Sequence, residues 1–257
     1  MKITFLGTAS GKTSAQRYHS SLLFSLRDYN LLIDTGDGIS RALINSEIEF
    51  NSVNGILITH LHPDHFSGLP ALIVQMKMIN RVEPLEIFIH ESLIEVLRES
   101  LIQSYLLPER IGFDIQYKVF KDSQRYIINK EFSFLARKNS HFKNLEKYQY
   151  KYPHLSLYSA SFLFEFESKK IIYTSDVGSE EDLLLFKEVK SDLYIAEATH
   201  IPLKSLINAI NNLNSDLFYL THYLDEDLIS INEIMTKLPT TIKKKLKIAG
   251  DRQLLEI

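Results

Sequence analysis

The chain has no cysteine. Disulfides are excluded, and any bound metal must be held by nitrogen and oxygen donors. No apolar run approaches the ~20 residues that a membrane span needs, so no membrane partner is expected. An excess of basic charge is also lacking. The formal net charge is −3, and the one basic cluster, Lys243, Lys244 and Lys245, reads as solvated surface rather than the face of a strong nucleic-acid binder. No internal repeat, low-complexity tract or Pro/Gly-rich linker interrupts the 257 residues. We therefore expect a single domain over 1–257, long enough for a substantial core. Residues 1–7 read as a first strand rather than a signal peptide, and a cytoplasmic location is expected.

What is present alternates. Short apolar runs mark strands at 3–6, 21–25, 30–33, 55–59, 85–89, 132–136, 161–166, 170–174, 193–196 and 217–220. Helix-like segments follow several of them, at 39–45, 66–79, 92–104, 180–188, 204–213 and 230–237. Residues 246–257 look like a last strand pair. Many strands with interspersed helices suggest sheets covered by helices. Four apolar strands run into polar residues: one into Asp34 and Asp37, one into His60, one into Asp176 and one into His222. Ligand sites in α/β folds collect at the carboxyl ends of strands, so these ends are candidates for one cleft.

The densest chemistry lies in Thr59-His60-Leu61-His62-Pro63-Asp64-His65-Phe66-Ser67-Gly68. In an extended loop His60 and His62 point the same way and can share one ion. Asp64 and His65 come where the chain turns into a helix and can address a second ion. Pro63 stiffens the turn, and Gly68 allows close packing of the helix start. Imidazole and carboxylate suit zinc, and also manganese or iron. Two such ions ~3.5–4 Å apart can activate a bridging water. Four local donors are too few for two ions, so distant ones are needed, and Asp176 and His222 are natural choices. A lone loop histidine is usually not a ligand, whereas the full His-x-His-x-Asp-His after an apolar strand is far more specific.

At these residues the sequence resembles the metallo-β-lactamase superfamily. The opening Phe5-Leu6-Gly7-Thr8-Ala9-Ser10-Gly11, with Arg17 and Ser20-Ser21, is similar to the ribonuclease Z and related phosphodiesterase branch. Leu32-Ile33-Asp34-Thr35-Gly36-Asp37-Gly38, Tyr173-Thr174-Ser175-Asp176 and Leu220-Thr221-His222 match three more of its strands. Glu197-Ala198-Thr199 resembles that branch's His-Glu-Ala-Thr loop, with Ala196 in place of the histidine. The resemblance implies an α/β fold, a four-layer αββα sandwich with the site at one edge of two facing sheets. It implies two divalent ions, zinc being the expected metal. His60, His62 and a third histidine would hold the first ion; Asp64, His65 and His222 would hold the second; Asp176 would bridge both together with a hydroxide, which Asp64 would also orient. His141 is expected as the third histidine, with His154 as the alternative. The Tyr- and Lys-rich stretch between them reads as a lid or as a plain surface loop.

Glu197 and His200 are candidates for a proton-donating pair that assists the leaving group. In ribonuclease Z the partner histidine sits in a later His-Ser-Thr segment, which this chain lacks. Asp37 is a candidate support for a ligand histidine. His19 is placed near the cleft, and His90 reads as structural. Ribonuclease Z also carries a Gly/Pro-rich arm that clamps transfer RNA. Here residues 80–126 contain only one glycine, Gly112, and phosphate neutralisation by Lys and Arg is limited. The expected function is thus hydrolysis of a small phosphodiester or a nucleic-acid end. The alternatives are hydrolysis of a carboxylic ester, lactone or thioester on the same site, or a non-enzymatic nucleic-acid-binding relative. Apolar stretches such as 93–107 suit a homodimer interface as well as a core.

Overall fold

The computed structural model describes residues 1–257. Its contacts divide the chain into two compact units, Met1–Phe120 with Gly250–Ile257, and Lys121–Ala249. No helix is long and apolar enough to cross a membrane.

The first unit is built on β1 (Lys2–Gly7), β2 (Ser21–Ser25), β3 (Asn30–Ile33), β4 (Gly55–Leu57), β5 (Leu85–His90) and β6 (Ile115–Phe120). The chain's last strand, Gln253–Glu256, adds to the free edge of β1, giving a seven-stranded sheet. From that strand through β3 the pairing is antiparallel. From β3 to β6 it is parallel, and parallel neighbours need crossover connections. The crossovers carry α1 (Ile39–Asn45), α2 (Pro63–Phe66), α3 (Leu69–Met78), α4 (Ile94–Gln103) and α5 (Pro108–Ile111). The parallel strands Leu31-Leu32-Ile33 and Gly55-Ile56-Leu57 are buried along their length, which is why they read as unbroken apolar runs rather than alternating ones.

The second unit repeats this plan with β7 (Arg125–Ile127), β8 (Phe132–Lys138), β9 (Ala160–Phe166), β10 (Lys169–Tyr173), β11 (Ser191–Glu197), β12 (Ser215–Thr221) and β13 (Leu246–Ile248). The strands lie in sequence order across the sheet. They are antiparallel from β7 to β10 and parallel from β10 to β13. The rings of Phe132, Phe134, Phe162 and Phe164 pack together along β8 and β9, some stacked and some edge-on. The helices are α6 (Leu203–Asn212), α7 (Asp227–Lys237) and α8 (Thr240–Lys245). Leu206, Ala209 and Ile210 place the apolar stripe of α6 in a core with Phe218, Leu220 and Phe186.

Three departures from the expected elements have physical causes. The helix over 66–79 is two helices. Gly68 donates its N–H to Thr35 O at 2.8 Å, out of the helical ladder, and Pro70 opens α3. Residues 246–257 are not a strand pair, because β13 joins the second sheet and Gln253–Glu256 the first. The segment 180–188 is a short 3-10 turn over Glu180–Leu184, closed at its start by a capping box between Ser179 and Asp182. β6 and β7 went unexpected because their residues are half exposed and interleaved with polar ones.

Candidate metal centre and catalytic residues

In the first unit the donors follow β4. His62 is extended, at φ −69 and ψ 144, and Pro63 starts α2, so Asp64 and His65 fall on the first helical turn. The ring centroids of His60 and His65 lie 4.1 Å apart, and those of His60 and His62 lie 5.0 Å apart. His65 Nε2 is 3.7 Å from Asp64 Oδ2. Three imidazoles and a carboxylate are therefore gathered in one place, with His60, His65 and Asp64 buried.

Asp34 braces this group. It stands at the end of β3 in the left-handed region, at φ 60. Its Oδ2 is 2.7 Å from His65 Nδ1 and accepts from Thr59 Oγ1 at 2.9 Å, while Oδ1 accepts from the Thr59 N–H at 2.9 Å. Thr59 Oγ1 lies 3.0 Å from His60 Nδ1, so the brace reaches a second ligand candidate. Burial raises the Asp34 carboxyl above its ordinary value, while His65 and Thr59 oppose the shift. Asp37, the expected support, is exposed beside Arg17, Tyr18 and Arg41. That expectation is corrected: the backbone turn at Asp34 carries its side chain inward, and Asp34 fills the role. Gly68 is needed by close approach, since a Cβ there would sit 2.4 Å from Gly36 O.

In the second unit Asp176 follows β10, one residue after Ser175 at φ 51. Its Oδ1 faces His222 Nε2 at 3.3 Å, and its Oδ2 lies 3.8 Å from both His141 Nε2 and His200 Nδ1. His222 follows β12, again in the left-handed region at φ 53. Such strain at strand ends collects where side chains must be aimed. His141 is held by its N–H to Asn139 Oδ1 (3.2 Å), and Asn139 Nδ2 donates to Asp176 O (2.8 Å). His154 is exposed on the following segment.

A further residue ties the loops carrying His141 and Asp176. Asp182 accepts from the N–H groups of Ser140, Gly178 and Ser179 and from Ser140 Oγ, at 2.7–3.1 Å. Sequence reasoning missed it. The Ser179-x-x-Asp182 capping pattern is the one local signal that could have found it. A Cβ on Gly178 would sit 2.2 Å from Ser140 O, so only glycine lets these loops meet.

Glu197 ends β11 with its carboxylate gripped by the N–H groups of Thr199 (2.6 Å) and His200 (3.0 Å). Its Oε1 lies 3.2 Å from His200 Nδ1 and its Oε2 3.9 Å from His222 Nδ1. Glu197, His200 and His222 each offer a ligand atom within 4.8 Å of the others. His200 is 36% exposed and can reach a bound molecule. His19 is buried beside Gly36. His90 bonds Ser92 and packs on Phe120, a structural role.

The family model described as anti-Pycsar protein Apyc1 matches residues 1–235. The chain belongs to the anti-Pycsar Apyc1 family. The Apyc1 protein of Bacillus phage BSP38 is 27% identical over 234 residues, covering 87% of this chain and 89% of its own. Ribonuclease Z of Metallosphaera sedula is 36% identical over 124 residues, which cover 48% of this chain and 41% of the ribonuclease. That match thus spans under half of the ribonuclease. Among solved structures, the short form of human tRNase Z superposes with a TM-score of 0.74 at 20% identity, covering 100% of this chain and 99% of its own. YhfI of Bacillus subtilis, a metallo-β-lactamase fold protein, gives 0.75 at 19%, covering 99% and 98%. The Apyc1-family chain therefore has the metallo-β-lactamase fold, and about half of it is similar to ribonuclease Z. Its donor set of imidazoles and carboxylates, without thiolate, fits divalent ions.

Proposed function

We propose that this chain is a phosphodiesterase acting on a small phosphodiester or a nucleic-acid end through two divalent ions, zinc first, with manganese or iron accepted by the same donors. The observation that carries the reading is the division of the Asp176 carboxylate, one oxygen toward His222 and the other toward His141 and His200. A carboxylate addressed from both oxygens suits a group shared by two ions. By the superfamily resemblance His60, His62 and His141 would hold one ion, and Asp64, His65 and His222 the other, so that 1–257 works as one domain. Bound there, the ions would lower the pKa of a water toward ~7 and offset charge on the phosphoryl oxygens.

The chain's own groups then do three things. Asp64 orients the attacking water and accepts its proton. Glu197, fixed by two backbone N–H groups, holds His200 through Nδ1, and protonated His200 donates to the departing alkoxide oxygen. Asp34 holds His65 in orientation. A small substrate is favoured because residues 80–126 are occupied by β5, α4, α5, β6 and β7 rather than by a Gly/Pro-rich arm. Exposed Val96, Ile102 and Tyr105, on and just after α4, suit a homodimer contact.

The test is a panel of bis(4-nitrophenyl) phosphate, 3′,5′-cyclic nucleotides, RNA 3′ ends, a lactone and a thioester, with metal quantified. Diester turnover is expected, and Asp64→Ala should abolish it while leaving the circular dichroism spectrum intact. Undiminished turnover in Asp64→Ala sinks that role. Turnover of the lactone or thioester alone sinks the diester reading. Under one metal per chain with no turnover favours a binding relative.

A further inference from the structure

Residues 8–18 belong to the opening stretch that resembles ribonuclease Z, yet the chemistry above gives them no part. They form a loop after β1 whose two stems meet, Ala9 donating its N–H to Tyr18 O at 2.9 Å. Inside the loop Ser14 Oγ accepts from the N–H groups of Gln16 (3.0 Å) and Arg17 (3.1 Å). Arg17 Nη1 crosses back to donate to Thr8 O at 2.9 Å. One residue of the loop reaches the candidate metal centre. Gly11 lies against Asp64, and a Cβ on it would sit 3.4 Å from Asp64 Oδ2. Gly11 is exposed and Asp64 is buried, so the loop covers the carboxylate on that side.

The loop is fastened from the other end of the chain. Asp251 Oδ1 accepts from the Thr8 N–H at 2.9 Å and from Thr8 Oγ1 at 2.7 Å, and Oδ2 accepts from the Tyr18 N–H at 2.7 Å. One carboxylate thus grips both stems, and an ionised acceptor makes such bonds about twice as strong as neutral ones. The turn that presents Asp251 is itself fixed. Gln253 donates its N–H to Gly250 O at 3.1 Å and accepts the Gly250 N–H on Oε1 at 3.0 Å, while Arg252 donates its N–H to Phe5 O at 2.7 Å. These bonds lie within the first unit, to which the last eight residues belong.

We infer that Asp251 is a positioning residue for the reaction: by fastening both stems of the 8–18 loop it holds Gly11 against the Asp64 carboxylate and so fixes the oxygens that orient the attacking water. This rests on the phosphodiesterase reading and on the part Asp64 plays in it. Asp251 bonds to Thr8 and Tyr18 rather than to a metal-binding residue, so its effect passes through the loop. A misplacement of about 1 Å at a reacting group, caused by a change far from the chemistry, can cost about 100-fold in rate.

Asp251→Asn is the probe. An amide has one oxygen, and its NH2 cannot accept, so either the Thr8 or the Tyr18 N–H loses its acceptor whichever way the amide turns. With bis(4-nitrophenyl) phosphate at saturating zinc, kcat should fall about 10- to 100-fold. KM should change little, because Asp64 acts on the water and not on the ester. Leu255→Ala is the control for stability. It trims the same last strand where Leu255 pairs with Ile3 and leaves the Asp251 carboxylate in place, so it should lower the melting temperature and keep kcat. If Asp251→Asn does not fold, Thr8→Val removes the hydroxyl bond alone and should lower kcat about 2- to 10-fold. Wild-type kcat in folded Asp251→Asn, or in Thr8→Val where that variant decides, overturns the positioning role. An equal fall of kcat in Leu255→Ala also overturns it, since the last strand would then act through stability alone. No turnover of the diester by the zinc-loaded wild type takes down the phosphodiesterase reading and the positioning role with it.

Discussion

Replacing Asp34 by asparagine changes one atom and separates shape from charge. As a carboxylate, Asp34 only accepts. Its Oδ2, 2.7 Å from His65 Nδ1, therefore fixes the proton on Nδ1 and leaves the Nε2 lone pair free for a metal. In Asp34→Asn the Oδ1 atom can still accept from the Thr59 N–H, which is 2.9 Å away in the native protein. The amide NH2 then falls where Oδ2 was, and it is a donor. It turns toward His65 Nδ1 and favours the tautomer with the proton on Nε2, the atom a metal needs bare. Losing such a support costs about 10- to 100-fold in metal affinity or activity, or about 1.4–2.8 kcal/mol. Asp34→Ala is a poorer probe. It strands the Thr59 and His65 donors in a buried site, at about 1–3 kcal/mol for each unsatisfied group, and so mixes folding with binding. The assay is competition of the folded protein against a chromophoric chelator, alongside kcat/KM on an activated diester. Native metal affinity in a correctly folded Asp34→Asn would refute the brace.

Three other outcomes are expected. Glu197→Gln should lower kcat by about 10²- to 10⁴-fold with little change in KM, and the loss should be larger for an alkyl leaving group than for 4-nitrophenolate, which departs without a proton. Asp182→Ala removes the acceptor shared by Ser140, Gly178 and Ser179. It should cost at least about 1–3 kcal/mol in denaturant melts and lower activity by loosening His141. Stripping metal with a chelator should lower the melting temperature, and zinc should restore it in a concentration-dependent way, because a ligand that binds only the folded state stabilises by mass action.

The candidate donors were legible where metal-competent side chains are concentrated. His60, His62, Asp64 and His65 announce themselves because four metal-competent residues in six positions have few other uses. Most strands were legible too, since β3, β4, β10 and β12 are buried along most of their length and their apolar runs end abruptly at polar residues. Asp34 was not distinguishable from Asp37. Both sit in one Gly-rich turn, and only the left-handed backbone at Asp34 decides which carboxylate enters the core. Asp182 was hidden for a different reason. Its capping pattern with Ser179 is local, but its partner Ser140 is 42 residues away, and nothing in the sequence links those two. The two final apolar runs looked like a hairpin because they are neighbours in sequence. The Gly250-Asp251-Arg252 turn instead delivers the second run to β1, where the Arg252 N–H meets Phe5 O at 2.7 Å.

That last strand has a consequence for how the chain matures. Residues 1–120 emerge from the ribosome with β1 bare on one edge, and the Thr8 and Tyr18 N–H groups still await the Asp251 carboxylate that accepts from both. The whole of 121–249 must be made before that acceptor arrives, a delay on the order of ten seconds at ordinary synthesis rates. Through that interval the first sheet presents an unpaired edge, the surface most prone to pair with another chain. Cleavage just before Gly250 would recreate the same exposed edge in the finished protein. Folding yield should therefore depend on the last eight residues far more than their small share of the core suggests.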